Sequence, residues 1–364
     1  MLTGSRRLPV YIQAAVLTAA FLAFSRPCHS QEYRLAIPPV PVPETVTDTV
    51  TMVFIGDVMM HSRQLDYDSS DFLAELGPLL SGADIAVANA EFTMAGPPYT
   101  GYPAFSAPDD YASNITVHGV DVLLTANNHI LDKGSAGMKR TLDILPVPFT
   151  GSGRDSEEFA ALNPLVLSCK GLRIALVNFT YGTNLGATSA WPAVNYMKEE
   201  RIGAQVSRAR EAGADFVIAL PHWGTEYRLN PDAEQRRWAD YLVECGVDAI
   251  VGAHPHVVQD TTFINGVPVV YSMGNAVSNM SAPNTRLELA VVLRMTNERP
   301  FGKRELLRPE LHFLWCTLPG RLKDTYCTIE VEKYLDKRNM WLTPSDWDDM
   351  VGTLGRVKAQ TGIE

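Results

Sequence analysis

The chain has 364 residues, 46% hydrophobic and 20% charged, enough for one large domain with a sizeable buried core. Its net charge of −10, with no run of Lys and Arg interleaved with aromatics, excludes a nucleic-acid binder, which carries a basic stripe. It contains no internal repeat or low-complexity tract.

The first thirty residues read as a secretory signal. Arg6 and Arg7 precede an apolar stretch from Leu8 to Phe24, and a short polar tail ends on small residues at Cys28 and Ser30. That three-part layout places cleavage before Gln31 and the body in the periplasm or at the cell surface. The apolar stretch is shorter than the roughly 20 residues that span a bilayer, and retention as an uncleaved anchor is the alternative. Losing residues 1–30 removes Arg6, Arg7 and Arg26 and no acid, which takes the charge to −13. Four scattered cysteines remain, Cys169, Cys245, Cys316 and Cys327, without the Cys-x-x-Cys of a zinc ribbon or redox motif. In an oxidising compartment Cys316 and Cys327 are placed to pair across a loop.

Residues 31–49 form a linker whose Ile37–Pro43 segment is a semi-rigid proline stalk. From residue 50, apolar runs alternate with amphipathic stretches. Strands are expected at Thr51–Ile55, Asp84–Ala88 and Asp121–Leu124, with helices at Asp71–Leu80, Asp109–His118 and Ala136–Leu145. Strands follow at Leu165–Leu167 and Arg173–Asn178. A helix at Glu199–Glu211 leads into strand Phe216–Leu220, and a helix at Pro231–Cys245, capped by Asn230, leads into Ala249–Val251. This rhythm predicts an α/β fold with a mainly parallel sheet covered by helices. Thereafter Asn265-Gly266 marks a hairpin, 286–295 and 308–317 form an antiparallel pair, and 331–357 is helical.

The polar residues that stand out each follow an apolar strand. Asp57 follows the first, Asn89 and Glu91 the second, Asn127-Asn128-His129 the third, His222 the Phe216 strand, and His254-Pro255-His256 the Ala249 strand. Taken singly each has a structural explanation: Asp57 as a turn or cap, Asn128 as a turn residue, His222 as a half-buried histidine. His254 and His256 are better evidence, because alternate residues of an extended segment face one side. Five parallel strand ends delivering carboxylate, amide and imidazole converge on the sheet edge where open α/β sheets bind ligands. That donor set selects Mn²⁺, Fe, Zn²⁺ or Mg²⁺, one or two ions able to bridge an oxyanion. His61 reads equally as a ligand, a phosphate contact or a surface residue, and His118, at a helix end, as structural. Trp223, Tyr227 and Tyr181 either line a cleft or pack.

The segments Phe54-Ile55-Gly56-Asp57-Val58-Met59, Asn89-Ala90-Glu91, Thr125–Gly134, Pro221–Tyr227, Gly252–Gln259 and Tyr271–Asn275 occur in the order of the CapA family of poly-γ-glutamate capsule synthesis, and the chain resembles that branch of the calcineurin-like metallophosphoesterases. The resemblance implies a four-layer αββα sandwich over 50–295, with a small α+β extension over 296–364 packed on it. It implies Asp57 at a first metal with His256, Glu91 as bridging carboxylate, and Asn128 and His222 at a second metal with His254 beside them. His129 would be the general acid, and Asn89, His61, Glu226 and Asn275 would contact substrate or orient ligands. Two departures stand out: Met59 occupies the place of a ligand histidine, and Glu91 that of an aspartate. One tightly held ion or a pair completed by substrate are both consistent with this.

Two functions follow. One is a metal-dependent hydrolase acting on a phosphoester or amide of an envelope polymer. The other is a non-catalytic, metal-dependent subunit that binds or exports an acidic polymer, in contact with a membrane-bound capsule synthesis complex. A body at −13 repels a polyanion at long range, so attraction must come from the local charge of the metal.

Overall fold

The computed structural model describes residues 45–363 apart from 188, 189 and 301; the signal reading of 1–30, the proline stalk and the rest of the linker up to residue 44 lie outside the described residues. The first sheet grows from β1 (Val46–Val58), parallel to β2 (Ile85–Ala90), which is parallel to β3 (Val122–Leu124) and, beyond it, β4 (Phe149–Thr150). Past β5 (Ser152–Gly153) the chain enters a second sheet with β6 (Leu165–Cys169) and β7 (Leu172–Thr180). The short β8 (Ala193–Val194) pairs back to β5. Next come β9 (Phe216–His222), β10 (Ala249–Val251), and the hairpin β11 (Thr261–Ile264) and β12 (Val267–Val270). β7, β9, β10 and β12 are parallel neighbours, with β6 and β11 antiparallel at the two edges.

The chain then returns to the first sheet. β13 (Leu287–Arg299) runs antiparallel to β1, with β14 (Lys303–Leu306), β15 (Glu310–Thr317) and β16 (Cys327–Glu330) completing that side.

Side-chain alternation along the strands makes the layers. On β1, Met52 and Phe54 point between the sheets and meet Ile174, Leu176, Ile218 and Leu220. Val53 and Ile55 point the other way, onto Phe72, Ile115, Met138 and Leu142. On β7, Ala175 and Val177 face outward to Ile202 and Val206 of helix Glu199–Glu211 and to Trp238 and Leu242 of helix Ala233–Cys245. Helix, sheet, sheet, helix is the αββα order expected, and each fully buried aliphatic side chain in it contributes roughly 1.5–3 kcal/mol. A further core joins Leu287, Leu289, Phe313 and Trp315 to Met350 and Val357 of the last helix, Pro344–Thr361.

Several elements differ from expectation. Asp71–Leu80 is not one helix: single turns at Ser69–Asp71 and Ala74–Leu76 precede a short helix, Gly77–Ser81, because Pro78 can only open a helix. The helix expected from Pro231 begins at Ala233. Asp232, not Asn230, is its cap, and Asp232 and Gln235 close a reciprocal capping box. The helical tail breaks at Val331–Tyr334 and Arg338–Met340 before Pro344 starts its last helix. An additional helix, Ser156–Leu162, is capped by the Asp155 side chain. Cys316 and Cys327 are free thiols. Cys316 lies opposite Thr328, and Cys327 opposite Thr317. Opposed residues share a face and neighbours alternate, so the two sulfurs point to opposite sides of the sheet. Among the described residues no helix is long and apolar enough to cross a membrane.

Candidate metal centre

The carboxyl ends of β1, β2 and β3 in one sheet and of β9 and β10 in the other bring their loops together. The register of β1 on β2 slips between Ile55 and Asp57, a bulge that re-aims the chain. Gly56 sits in that slip because a Cβ there would lie 2.0 Å from the Gly274 carbonyl oxygen. Asp57 is consequently held on both sides: its N–H donates to Gly274 O at 3.0 Å, and its carbonyl accepts from Val277 at 3.1 Å. Its carboxylate is completely buried. Oδ1 accepts from Asn89 Nδ2 at 2.7 Å, and Oδ2 from the His254 N–H at 3.3 Å.

Glu91 is at the middle. It is fully buried, and its Oε1 lies 3.8 Å from His222 Nε2, 3.9 Å from His256 Nε2 and 3.9 Å from His129 Nε2. Neither oxygen has a hydrogen-bond partner. Of the nine buried side-chain polar atoms without a partner among the described residues, four belong here: both Glu91 oxygens, Asn89 Oδ1 and His254 Nδ1. Buried polar groups are otherwise satisfied in folded proteins, so this concentration marks a place built for a ligand. The donors form two groups, each with its atoms within 4.8 Å of one another: Asp57, Glu91 and His222, and Glu91, His254 and His256. Glu91 is common to both. His254 shares a group with His256, and its ring also lies 4.7 Å from the His222 ring. Asn128 Oδ1 lies 2.8 Å from His222 Nε2.

The electrostatics of the cluster suit a cation. Burial, with Asp57 close by, pushes the Glu91 carboxyl well above its usual range. Burial, reinforced by the neighbouring histidines, holds His222 and His254 well below theirs, leaving neutral imidazoles suited to a metal. Burial also opposes protonation of His256, but the Asp57 carboxylate at 3.3 Å overrides it and raises that group. Asn275 Oδ1 lies 2.9 Å from His256 Nδ1, and its Nδ2 donates to the Thr285 carbonyl. His254 and His256 have φ of +101° and +57°, a left-handed backbone that turns both rings inward.

Other expected residues fall at the edge. His61 belongs to neither donor group: its Nδ1 meets Gln64 Oε1 and the Asn279 N–H, both at 3.2 Å, and burial lowers it to about 4. Glu226 is exposed at the mouth. Met59 is buried, and its carbonyl accepts from Tyr111 Oη. Trp223 packs with Nε1 on the Tyr271 carbonyl, whereas Tyr181 and Tyr227 are half exposed with rings 4.6 Å from His254 and 6.1 Å from His256. His118 is structural, bound to the Ser70 carbonyl.

Two carboxyls were missed. Asp132 Oδ2 lies 2.7 Å from His129 Nδ1 and accepts from the Phe105 N–H at 2.8 Å, fixing the imidazole while Phe105 packs against its ring at 4.6 Å. The histidine–carboxylate spacing of three in a turn was its available signal. Glu288, on β13, is fully buried and accepts from the Gly56 N–H at 2.5 Å; burial raises its carboxyl well above the usual range. Nothing local in a strand sequence announces that contact.

The fold and site together define a two-sheet α/β sandwich with a buried histidine–carboxylate cluster at the strand ends. The family model described as bacterial capsule synthesis protein PGA_cap matches residues 51–280, and the chain belongs to that family. It is 28% identical to the capsule biosynthesis protein CapA of Bacillus anthracis over 68% of this chain and 64% of that one. It is 27% identical to the PGA biosynthesis protein CapA of Bacillus subtilis, over 73% and 72%. The chain therefore spans slightly under two thirds of the B. anthracis relative. A calcineurin-like phosphoesterase, YfkN of Bacillus subtilis, superposes with a TM-score of 0.45 at 16% identity, covering 74% of this chain and 91% of that one.

Proposed function

We propose that the chain is an exported, metal-dependent envelope protein acting in the synthesis of a capsule, poly-γ-glutamate or a related polymer, and that its site works as a hydrolase on a phosphoester or amide. The family match and the names of its Bacillus relatives support the pathway. The observation that carries the chemistry is Glu91, a buried carboxylate with no hydrogen-bond partner facing His129, His222 and His256. Uncompensated buried charge is costly, and a cation is the group that all these donors fit.

Asp57, Glu91, Asn128, His222, His254 and His256 would hold one or two divalent ions from among Mn, Fe, Zn and Mg, with Glu91 shared. An ion held there would supply Lewis-acid chemistry to a phosphoryl or acyl oxygen and to an attacking water. Asn89 holds Asp57 in register, and Asn275 orients His256. Asp132 keeps the His129 proton on Nδ1 in the neutral ring and directs Nε2 into the cluster, so that a protonated His129 delivers its Nε2 proton to a leaving group. This dyad favours the hydrolase over the non-catalytic polymer-binding or export subunit, which has no use for an oriented proton donor.

The test is to purify residues 31–364, measure bound metal, and assay phosphodiester and γ-glutamyl substrates with added Mn²⁺. Turnover lost in His129→Ala and Asp57→Ala supports the hydrolase. Metal and polymer binding without turnover would move the reading to the binding subunit. A protein that takes up no stoichiometric metal overturns both.

A further inference from the structure

Beside the cluster lies a groove of about 690 Å³, walled by Thr225, Tyr227, Arg228 and Asn230 on one side and by Asn284 and Gln360 on the other. The 224–232 loop that forms it is fixed from below. Gln259, the last residue of the Gly252–Gln259 motif, donates through Nε2 to the carbonyls of Arg228 at 2.9 Å and Asn230 at 3.4 Å. Its Oε1 accepts from Gln235 Nε2 at 2.8 Å, and both side chains are buried. Tyr227 is tied across to the histidine loop, its N–H donating to Pro255 O at 2.8 Å. It is held at φ +64°, a conformation an aromatic residue rarely adopts. That strained residue is the partition between groove and cluster, its ring 6.1 Å from the His256 ring on one side and lining the groove on the other. Backbone strain of this kind persists where the surroundings impose it, and it gathers at functional sites.

The groove's lining carries one guanidinium, Arg228, and one carboxylate, Asp232. Asp232, the acid in its wall, is engaged: Oδ1 accepts from the Gln235 N–H and Oδ2 from Thr225 Oγ1. Arg228 is exposed and forms no ion pair among the described residues. Arg356 reaches the opposite wall, with Nη2 on Asn284 Oδ1 at 3.4 Å and on Thr353 Oγ1 at 2.8 Å. Guanidinium is the group best matched to carboxylate, through paired N–H donors.

We infer that this groove is a subsite for a carboxylate of an extended acidic substrate, with Arg228 as its counter-ion and Tyr227 as the platform leading to the metal cluster. The inference rests on the acidic-polymer reading above. It explains how a protein of net charge −10 holds a polyanion: the polymer is gripped at two local positive points, not along the protein's surface.

The experiment uses the mature chain loaded with Mn²⁺ and fluorescein-labelled γ-glutamyl oligomers of one, three and six units, read by anisotropy. Wild type binds the trimer and hexamer about tenfold more tightly than the monomer, and Arg228→Gln and Arg228→Glu remove most of that length-dependent gain. The Arg228→Gln protein is checked for its metal content and thermal melting, so that a folding defect is seen directly. A length-dependent gain that survives both Arg228 variants overturns the subsite and leaves the polymer reading standing. Absence of binding by any oligomer to metal-loaded wild type overturns the polymer reading and the subsite with it.

Discussion

Replacing Glu91 by Gln should stabilise the metal-free protein and cripple its response to metal. The structure supplies the sign. Glu91 has two oxygens without partners, full burial, and Asp57 close enough to oppose its ionisation. Each unsatisfied buried polar group costs about 1–3 kcal/mol, more when charged. Gln keeps the shape, removes the charge, and brings an amide donor toward imidazole nitrogens at 3.8–3.9 Å. A gain of about 1–3 kcal/mol in the apo protein at pH 8 is expected, read as a higher midpoint in urea. Saturating metal at about 100 times its Kd stabilises wild type by about 2.7 kcal/mol, whereas the variant, without its shared ligand, should gain less than half of that. The advantage of the variant should therefore narrow by more than about 1.3 kcal/mol on adding metal. The pH dependence follows from the raised carboxyl: its folded-state proton affinity exceeds the unfolded one, so the wild-type penalty is full above the folded pKa and fades as pH falls toward the usual carboxylate range. The apo advantage of Glu91→Gln should shrink along that path. An apo variant destabilised by more than about 1 kcal/mol, or one that gains as much as wild type from Mn²⁺, would refute the reasoning.

Three further outcomes are expected. Asp132→Asn should lower turnover about 10²-fold by freeing the His129 ring and its tautomer, with metal content by mass spectrometry unchanged; undiminished turnover removes Asp132 from its role. Gly56→Ala should cost about 3 kcal/mol in denaturant unfolding, since its Cβ meets the Gly274 carbonyl at 2.0 Å, and should weaken metal uptake by displacing Asp57. His61 is lowered to about 4 from 6.5, so its contribution to stability is full above pH 6.5 and is lost as pH falls from there to about 4. His61→Gln should flatten the apo stability curve in that window by up to about 3 kcal/mol, and an unchanged slope between pH 4 and 6.5 would count against a buried neutral ring.

Much of the fold was legible in the sequence because strand-length apolar runs, helical periodicity and the Asn-Gly turn are local signals. Glu199–Glu211 and Ala249–Val251 coincide with their expected limits. Local signals failed where two competed, as at Gly77-Pro78, or where a cap two residues on was better, as Asp232 was than Asn230. The candidate site residues were legible only as a group: Asp57, Glu91, Asn128, His222 and the His254–His256 pair follow five separate strands, whereas singly each had a structural explanation.

What the sequence by itself determined was therefore the donor set and the edge on which it gathers. Which donors share a point was decided only by the tertiary structure. The bulge at Gly56 aims Asp57, the positive φ of His254 and His256 turns both rings inward, and β13 brings Glu288 against the Gly56 backbone across 232 residues. Those relations depend on how two sheets stack and where strands far apart in sequence meet, and no window of neighbouring residues encodes them.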